Sequence, residues 1–181
     1  MDDSSVFSIQ WSDIPDKFAA GLTPATVLES YLKDVRRMTA GLITPLQTKE
    51  GLGFLLLSRL PLLTFLTPEF SISEEGDSVT MRICGGILVQ RDQCHRGEML
   101  LATRRLPEGF TRVTIRLSDY CPLLLGSQRP SLLRRWLYRL TQAYIHKTVT
   151  VRFLARLYRK LGGRVTSVRT VHVDVREGRK T

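Results

Sequence analysis

The chain has 181 residues, of which 43% are hydrophobic and 8% aromatic, and its formal net charge is +10 at pH 7. This composition is ordinary for a globular protein and excludes a disordered chain of low hydrophobicity. The length suits one domain rather than two independent ones. We therefore predict an N-terminal arm over residues 1–22 and a single α+β domain over residues 23–181.

The positive charge is concentrated in the last third of the chain. Residues 1–119 contain 13 Lys/Arg and 15 Asp/Glu, whereas residues 120–181 contain 14 Lys/Arg and 2 acids, a net charge of +12. A surface of one sign attracts partners of the opposite sign, and its own repulsion destabilises it when no partner is bound. The charge distribution therefore favours an anionic partner.

The cysteines and the first residues indicate the cellular compartment. Cys84, Cys94 and Cys121 form no CxxC pair, so the sequence predicts neither a disulfide framework nor a zinc motif. The acidic start of the chain does not resemble a signal peptide. We expect reduced thiols, no metal or cofactor, and a cytoplasmic or nuclear protein that is at most peripheral at a membrane.

The first predicted element is a helix over residues 24–39. Thr23 is a suitable N-cap, and Pro24 suits the first helical position. Apolar residues then recur at helical spacing until Gly41, and they are Val27, Leu28, Tyr31, Leu32, Val35 and Met38. This pattern predicts an amphipathic helix that packs on a core.

Residues 52–66 form a very apolar segment. The segment is short and contains Arg59 and Pro61, whereas a membrane span needs about 20 apolar residues. We predict core elements that bend at Pro61. Insertion into a membrane interface and the wall of an apolar ligand pocket remain as alternatives.

Several segments alternate between apolar and polar residues with the period of a β-strand. Residues 70–83 predict a hairpin around a turn at residues 75–77. Further strands are predicted over residues 97–106, 111–118 and 168–177. Because only one face of these strands is apolar, we expect an antiparallel sheet with one solvated face.

The chain between Pro130 and Gly162 predicts a long amphipathic helix. Its apolar stripe consists of Leu133, Leu137, Leu140, Tyr144, Val151, Ala155 and Tyr158. β-Branched residues near Thr148 leave two shorter helices as an alternative. The predicted fold class is thus α+β, an antiparallel sheet of four to five strands packed by an N-terminal helix and by this long basic C-terminal helix.

Basic side chains fall outside that stripe, and no acidic residue accompanies them. A solvated helix usually mixes both signs, because opposite charges four residues apart stabilise it. Arginine predominates here, and its planar guanidinium matches phosphate oxygens. The candidate anion-binding residues are Arg134, Arg135, Arg139, Arg152, Arg156, Arg159 and Lys160. Tyr138 and Phe153 are out of register with the stripe and are candidates for base stacking or an interface.

The sequence contains no recognisable catalytic motif. GxGxxG, GxxxxGK[ST], HExxH and GxSxG are all absent. Cys94 and His95 are adjacent and would point to opposite faces of a strand, so we expect no thiol or metal site there. We predict a protein that is not an enzyme and has no catalytic residues.

The leading hypothesis is a non-enzymatic binding or assembly protein that engages an anionic surface through its C-terminal helix. Small viral matrix and accessory proteins have similar composition. The expected partner is either a nucleic acid, with RNA ahead of DNA, or the acidic headgroups of a membrane. Self-association of the chain is compatible with both. The alternative is a pocket protein for an apolar ligand, or an enzyme built on such a pocket. A basic face that only solubilises the fold, or docks on the acidic half of the chain, also stays open.

Overall fold

The computed structural model describes residues 4–89, 96–121, 144–161, 169–170 and 174–177. In chain order, these residues form β1 (Ser4–Pro15), α1 (Asp16–Ala19), α2 (Pro24–Met38), β2 (Ile43–Thr48), β3 (Gly51–Leu56), β4 (Leu60–Leu66), β5 (Glu69–Ser71), β6 (Asp77–Gly85), β7 (Glu98–Leu106), β8 (Phe110–Tyr120), α3 (Tyr144–Lys160), β9 (Arg169–Thr170) and β10 (Asp174–Glu177). None of the helices in this part of the chain has the length and hydropathy needed to cross a bilayer.

The strands form one antiparallel sheet. Its main path runs β10-β1-β8-β7-β6-β4-β3-β2, while β5 pairs with β6 and β9 pairs with β1 beside that path. The ladders show register shifts in β1, β3 and β4. Such irregularities bend a strand and increase its local twist. The sheet is therefore bent at the β1–β8 ladder and again at the ladders that β4 forms with β3 and β6.

The predicted fold class is wrong in two respects. Within the described residues the sheet has ten strands, eight of them on its main path, where four or five were predicted. The C-terminal helix extends over Tyr144–Lys160, and residues 131–143 of the predicted long helix lie outside the described residues. The unpredicted strands come from segments in which the strand period is hidden, because β3 and β4 carry apolar residues on both faces.

The segment expected to be an N-terminal arm contributes β1, which lies inside the sheet between β8 and β10. On one face of this strand pair, Arg112 Nε and Nη2 donate hydrogen bonds to the two carboxylate oxygens of Asp13 over 2.7 and 2.9 Å. The same guanidinium lies over the Trp11 ring. This two-pronged ion pair links strands whose residues are 99 positions apart in the chain.

The predicted first helix is confirmed as α2. Thr23 Oγ1 accepts a hydrogen bond from the backbone N–H of Thr26, and Thr26 Oγ1 accepts one from the backbone N–H of Thr23, which completes a capping box. Pro24 occupies the first turn, as the sequence predicts. The buried side chains of the helix beyond that turn are Val27, Leu28, Tyr31 and Val35.

The core lies between the sheet and the two longer helices. Helix α2 packs on β2, β6 and β7, and α3 packs on β1 and on α2. Tyr31 of α2 and Phe153 of α3 meet edge to face, with ring centroids 5.2 Å apart. The sheet contributes Val79, Met81, Ile83, Met99, Leu101, Val113, Ile115 and Leu117 to this core.

The packed face of α3 differs from the predicted apolar stripe by one residue, or about 100° around the helix. Its buried residues are Thr150, Phe153, Leu154 and Leu157. Val151, Ala155 and Tyr158 of the predicted stripe are only half-buried. Because apolar residues occupy both of these faces, periodicity alone did not specify which face packs on the core.

Candidate functional site

The structure describes four of the seven predicted anion-binding residues. Arg152, Arg159 and Lys160 are exposed on α3. Arg156 is half-buried, and its Nη1 donates a hydrogen bond to Asp34 Oδ1 of α2 over 3.1 Å. One predicted anion-binding charge is therefore compensated inside the chain. The other predicted residues, Arg134, Arg135, Arg139 and Tyr138, lie outside the described residues.

Acidic residues of α2 face the basic helix. Besides Asp34, this helix carries Glu29, which forms an exposed ion pair with Lys33. The hydrogen bond and charge of Lys33, with a smaller contribution from Lys160, hold the pKa of Glu29 below its usual value. The carboxylates of α2 thus offset part of the positive field of α3.

Phe153 does not lie on the surface. Its side chain has no exposed area, and its ring packs against Tyr31. A ring enclosed in the core is not available to stack on a nucleic-acid base. The surface role predicted for Phe153 is therefore corrected to a core role, and the error has the same origin as the misplaced stripe of α3.

The inner face of β1 carries polar residues where a core strand usually carries apolar ones. Ser8, Gln10 and Ser12 are each at most 1% exposed, and we call these three residues the polar row. Their partners across the ladder with β8 are Leu117, Ile115 and Val113. The polar row therefore lies beside an apolar row on the same face of the sheet. Because residues 1–22 were predicted as an arm, neither this strand nor its inward face was predicted.

Some buried polar side chains on this face of the sheet have unused hydrogen-bonding atoms. Gln10 Nε2 donates to Ser8 Oγ over 2.5 Å, but Gln10 Oε1 and Ser12 Oγ have no hydrogen-bond partner within the described part of the chain. The buried Thr150 hydroxyl of α3 is a hydrogen-bond partner of Tyr31. Because α3 packs on β1, these three atoms belong to one layer between helix and sheet. Two further atoms of this kind, on the other face of the sheet, are Trp11 Nε1 and Arg116 Nε.

An unsatisfied buried polar atom costs about 1 to 3 kcal/mol, and native proteins normally satisfy such atoms with protein, water or a ligand. The buried polar side chains of the described residues are Ser, Thr and Gln, all of them uncharged. We call Gln10, Ser12 and Thr150 the interior cluster. Its amide and hydroxyl groups are suited to hold the neutral polar end of a molecule in an apolar surrounding.

Tyr31 borders the interior cluster. Burial raises the pKa of Tyr31 to about 12, and a hydrogen bond with the Thr150 hydroxyl opposes that shift. The phenol is therefore protonated and neutral over the physiological range of pH. Its edge-to-face contact with Phe153 fixes the position of this ring between α2 and α3.

We expect the buried phenol to make stability fall at alkaline pH. The pKa of Tyr31 is about 12 in the folded chain and 10.0 in the reference state, so the unfolded chain loses this proton first. The contribution is complete below pH 10.0 and is lost as the pH rises towards 12. As the pH rises from 10 to 12, the free energy of unfolding measured in urea should fall by about 2 to 3 kcal/mol more for the parent than for Tyr31→Phe. Equal losses in the two proteins would contradict this expectation.

The described residues contain no candidate metal-binding site. No group of three or more His, Cys, Asp or Glu side chains among them could hold a metal ion. Cys84 is half-buried and Cys121 is buried, and Cys84 Sγ contacts Thr64 Oγ1 at 3.6 Å. Cys94 and His95 lie outside the described residues.

Comparison with known proteins assigns no family to the chain. No family model matches it, and no curated protein matches it significantly. Solved structures that resemble it include an HSP90 activator from Plasmodium falciparum, with 15% identity, a TM-score of 0.39, and coverage of 82% of this chain and 96% of that chain. The protein Ara h 8.0201 has 13% identity, a TM-score of 0.35, and coverage of 83% and 98%. At such identities and TM-scores, these likenesses carry no argument about what this chain binds.

Proposed function

We propose that this chain is a binding protein for a small, neutral, mostly apolar ligand whose polar end carries a hydrogen-bond donor such as a hydroxyl. The observation that supports the proposal is the interior cluster, in which Gln10 and Ser12 each hold an unsatisfied buried oxygen and Thr150 adds a buried hydroxyl from α3. Small-molecule sites are typically apolar and contain a few polar groups that orient the ligand. The ligand would lie between β1 and α3.

The chemistry of the interior cluster restricts the polar end of the ligand. Gln10 Oε1 only accepts hydrogen bonds, whereas the hydroxyls of Ser12 and Thr150 donate or accept. A ligand hydroxyl would donate to Gln10 and accept from one of the two hydroxyls. A charged group would find only uncharged buried partners among the described residues, and an unpaired buried charge is strongly unfavourable. The proposal is therefore limited to neutral ligands.

The body of the ligand would contact the apolar side chains around the polar row. On the sheet these are Ile115 and Leu117 of β8, and on α3 they are Phe153, Leu154 and Leu157. We favour this function over binding of an anionic surface through α3, because Arg156 is already paired with Asp34, while the interior cluster has unused hydrogen-bonding capacity.

The test compares decanol with its methyl ether, which has the same chain but no donor. We expect the alcohol to bind at least about tenfold more tightly, the effect of one hydrogen bond to a buried acceptor. Gln10→Leu should abolish this preference. Gln47→Leu is the matched control, because it replaces the same type of side chain at an exposed position of β2. Calorimetric titration gives the affinities, and ligand-dependent thermal unfolding checks them.

Ser12→Ala is a second and smaller change that removes one hydroxyl of the interior cluster. Its circular dichroism should match that of the parent and its unfolding midpoint should be equal or higher, because an unsatisfied buried hydroxyl is removed, while its affinity for decanol should decrease. If neither compound bound the parent, or if Gln10→Leu kept the full preference for the alcohol, the proposed function would be wrong. Buried water would then account for the unsatisfied oxygens.

A further inference from the structure

Four exposed apolar residues lie where backbone hydrogen bonds join the loop after α2, the β3–β4 turn and the loop after β6. They are Leu42, Leu57, Leu60 and Ile87, with 53%, 63%, 44% and 42% of their surface exposed. We call these four residues the apolar tip. A group of large exposed apolar side chains contributed by separate segments marks a site of interaction more often than a single exposed residue does.

Backbone hydrogen bonds hold the apolar tip together. The Leu57 N–H donates to the Leu42 carbonyl oxygen over 2.8 Å, and the Ile87 N–H donates to the Pro61 carbonyl oxygen over 2.9 Å. Leu60 begins β4 directly after the turn. The four side chains therefore stand on a backbone that is fixed by contacts between the three segments.

The β3–β4 turn has a backbone conformation that its residues disfavour. Leu57 and Ser58 have φ angles of 50° and 58°, in the left-handed region where hairpin turns normally carry Asn or Gly. Leu57 is also largely exposed, so its side chain gains little from burial within the chain. Neither turn formation nor internal packing accounts for a leucine here, whereas an external apolar partner does.

Three exposed arginines accompany the apolar tip. Arg36 and Arg37 lie in the last turn of α2, and Arg59 directly follows the two left-handed turn residues. The Gly41 N–H donates to the Arg36 carbonyl oxygen over 2.8 Å, which brings the end of α2 next to the loop that carries Leu42. The sequence has no Asp or Glu in residues 35–49 or 51–68. The surroundings of the apolar tip are therefore cationic.

We propose that the apolar tip docks on the surface of an anionic lipid bilayer, with its apolar side chains below the headgroups and the three arginines at the lipid phosphates. Apolar residues beside basic ones are the combination that binds membrane interfaces. A protein strand fits less well, because Pro45 removes a backbone donor from β2, the edge strand next to this turn. The inference does not depend on the interior ligand.

Sedimentation with vesicles tests the proposal. The parent is expected to bind vesicles of phosphatidylcholine and phosphatidylserine at least about tenfold more tightly than vesicles of phosphatidylcholine alone. The double variant Leu57→Asn with Ser58→Gly places the preferred residues in the turn, so its unfolding midpoint should be equal or higher. Its affinity for the mixed vesicles should nevertheless fall about tenfold, the value of one inserted leucine.

Two controls separate the apolar tip from other surfaces. Ile72→Asn removes an apolar side chain that is 87% exposed on another part of the surface, and it should leave vesicle affinity within about twofold. Arg152→Gln with Arg159→Gln removes exposed charges of α3 and should leave affinity largely unchanged. Gln10→Leu should also bind vesicles as the parent does, which keeps this test separate from that of the interior ligand.

The arginines are tested as a pair. Arg36→Gln with Arg37→Gln should reduce the preference for anionic vesicles, whereas Arg104→Gln with Arg105→Gln, an exposed pair on β7, should not. The proposal would be overturned by equal binding to neutral and anionic vesicles, by full binding of the turn variant, or by loss of binding in the α3 variant instead. A dimer that dissociates in the turn variant, without any vesicle binding by the parent, would identify a second copy as the occupant and would also overturn it.

Discussion

Replacing Phe153 with alanine is expected to lower the free energy of unfolding by about 3 to 5 kcal/mol, the range for a large aromatic side chain removed from a core. Phe153 has no exposed surface, and its ring meets that of Tyr31 edge to face. The substitution would remove the aromatic contact between α2 and α3 and leave a cavity under both helices. Guanidinium denaturation followed by circular dichroism measures the loss.

Phe70→Ala is the matched control for this substitution. Phe70 lies in β5 and is 59% exposed, so the same change in side-chain volume should cost less than about 1 kcal/mol there. A similarly small loss for Phe153→Ala would show that α3 does not pack on the core as the structure places it. A large loss of stability in both variants would instead indicate that the Phe70 side chain is also buried.

Gly51→Ala is expected to cost more than about 4 kcal/mol or to prevent folding, which is exceptional for a single substitution. Gly51 has a φ angle of 154°, and a Cβ atom at this position would overlap the carbonyl oxygen of Phe65 on the neighbouring strand. The clash involves backbone that is already paired in the β3–β4 ladder. Relief would therefore require the two strands to separate locally.

Gly53→Ala, two residues along the same strand, is the control for Gly51→Ala. A Cβ atom there would meet its nearest neighbour, Leu55 Cδ1, at 3.5 Å, an ordinary contact distance. Its effect on the free energy of unfolding should stay within about 1 kcal/mol, because alanine and glycine differ modestly in strand propensity. Urea denaturation and the yield of folded protein measure both variants. Equal effects would contradict the structural reason given for Gly51.

The parts of the fold that depend on local rules could be predicted from the sequence. Helix α2 has its cap at Thr23 and its proline in the first turn, as expected. The hairpin predicted after residue 69 is also present, since Phe70 pairs with Val79 across a turn that contains Gly76. Gly76 has a φ angle of 134° there, a conformation that side-chain-bearing residues rarely adopt. Capping and turn chemistry act over a few residues, so the sequence displays them directly.

The number of strands could not be predicted, because it depends on distant partners. Residues 1–22 were predicted as an arm, so β1 was not predicted as a strand, and alternation along a strand does not by itself say which face is inside. Hydrophobicity alone would place Phe7, Ile9 and Trp11 in the core, whereas the structure buries the polar row and leaves these three residues half-buried. In β3 and β4 both faces are partly covered, so apolar residues occur without a strand period.

The candidate site was missed for a related reason. The interior cluster joins Gln10 and Ser12 of β1 to Thr150 of α3, and only the packing of the helix on the sheet brings these elements together. The predicted stripe of α3 was one residue out of place, which left Thr150 outside the packed face and Phe153 on the surface. Charge is the most visible property of this helix in the sequence, but the contacts of its buried face are what assemble the site.

The position of β1 determines when the sheet can form. Its neighbours β8, β9 and β10 all follow much later in the chain, and the ion pair between Asp13 and Arg112 spans 99 positions. Closing so long a loop costs entropy before any contact forms, which slows folding. During synthesis, β1 leaves the ribosome with both of its hydrogen-bonding edges unpaired, and it stays in that state until β8 has followed. An unpaired strand is a template for aggregation, so the nascent chain needs protection at β1 until β8 has been synthesised.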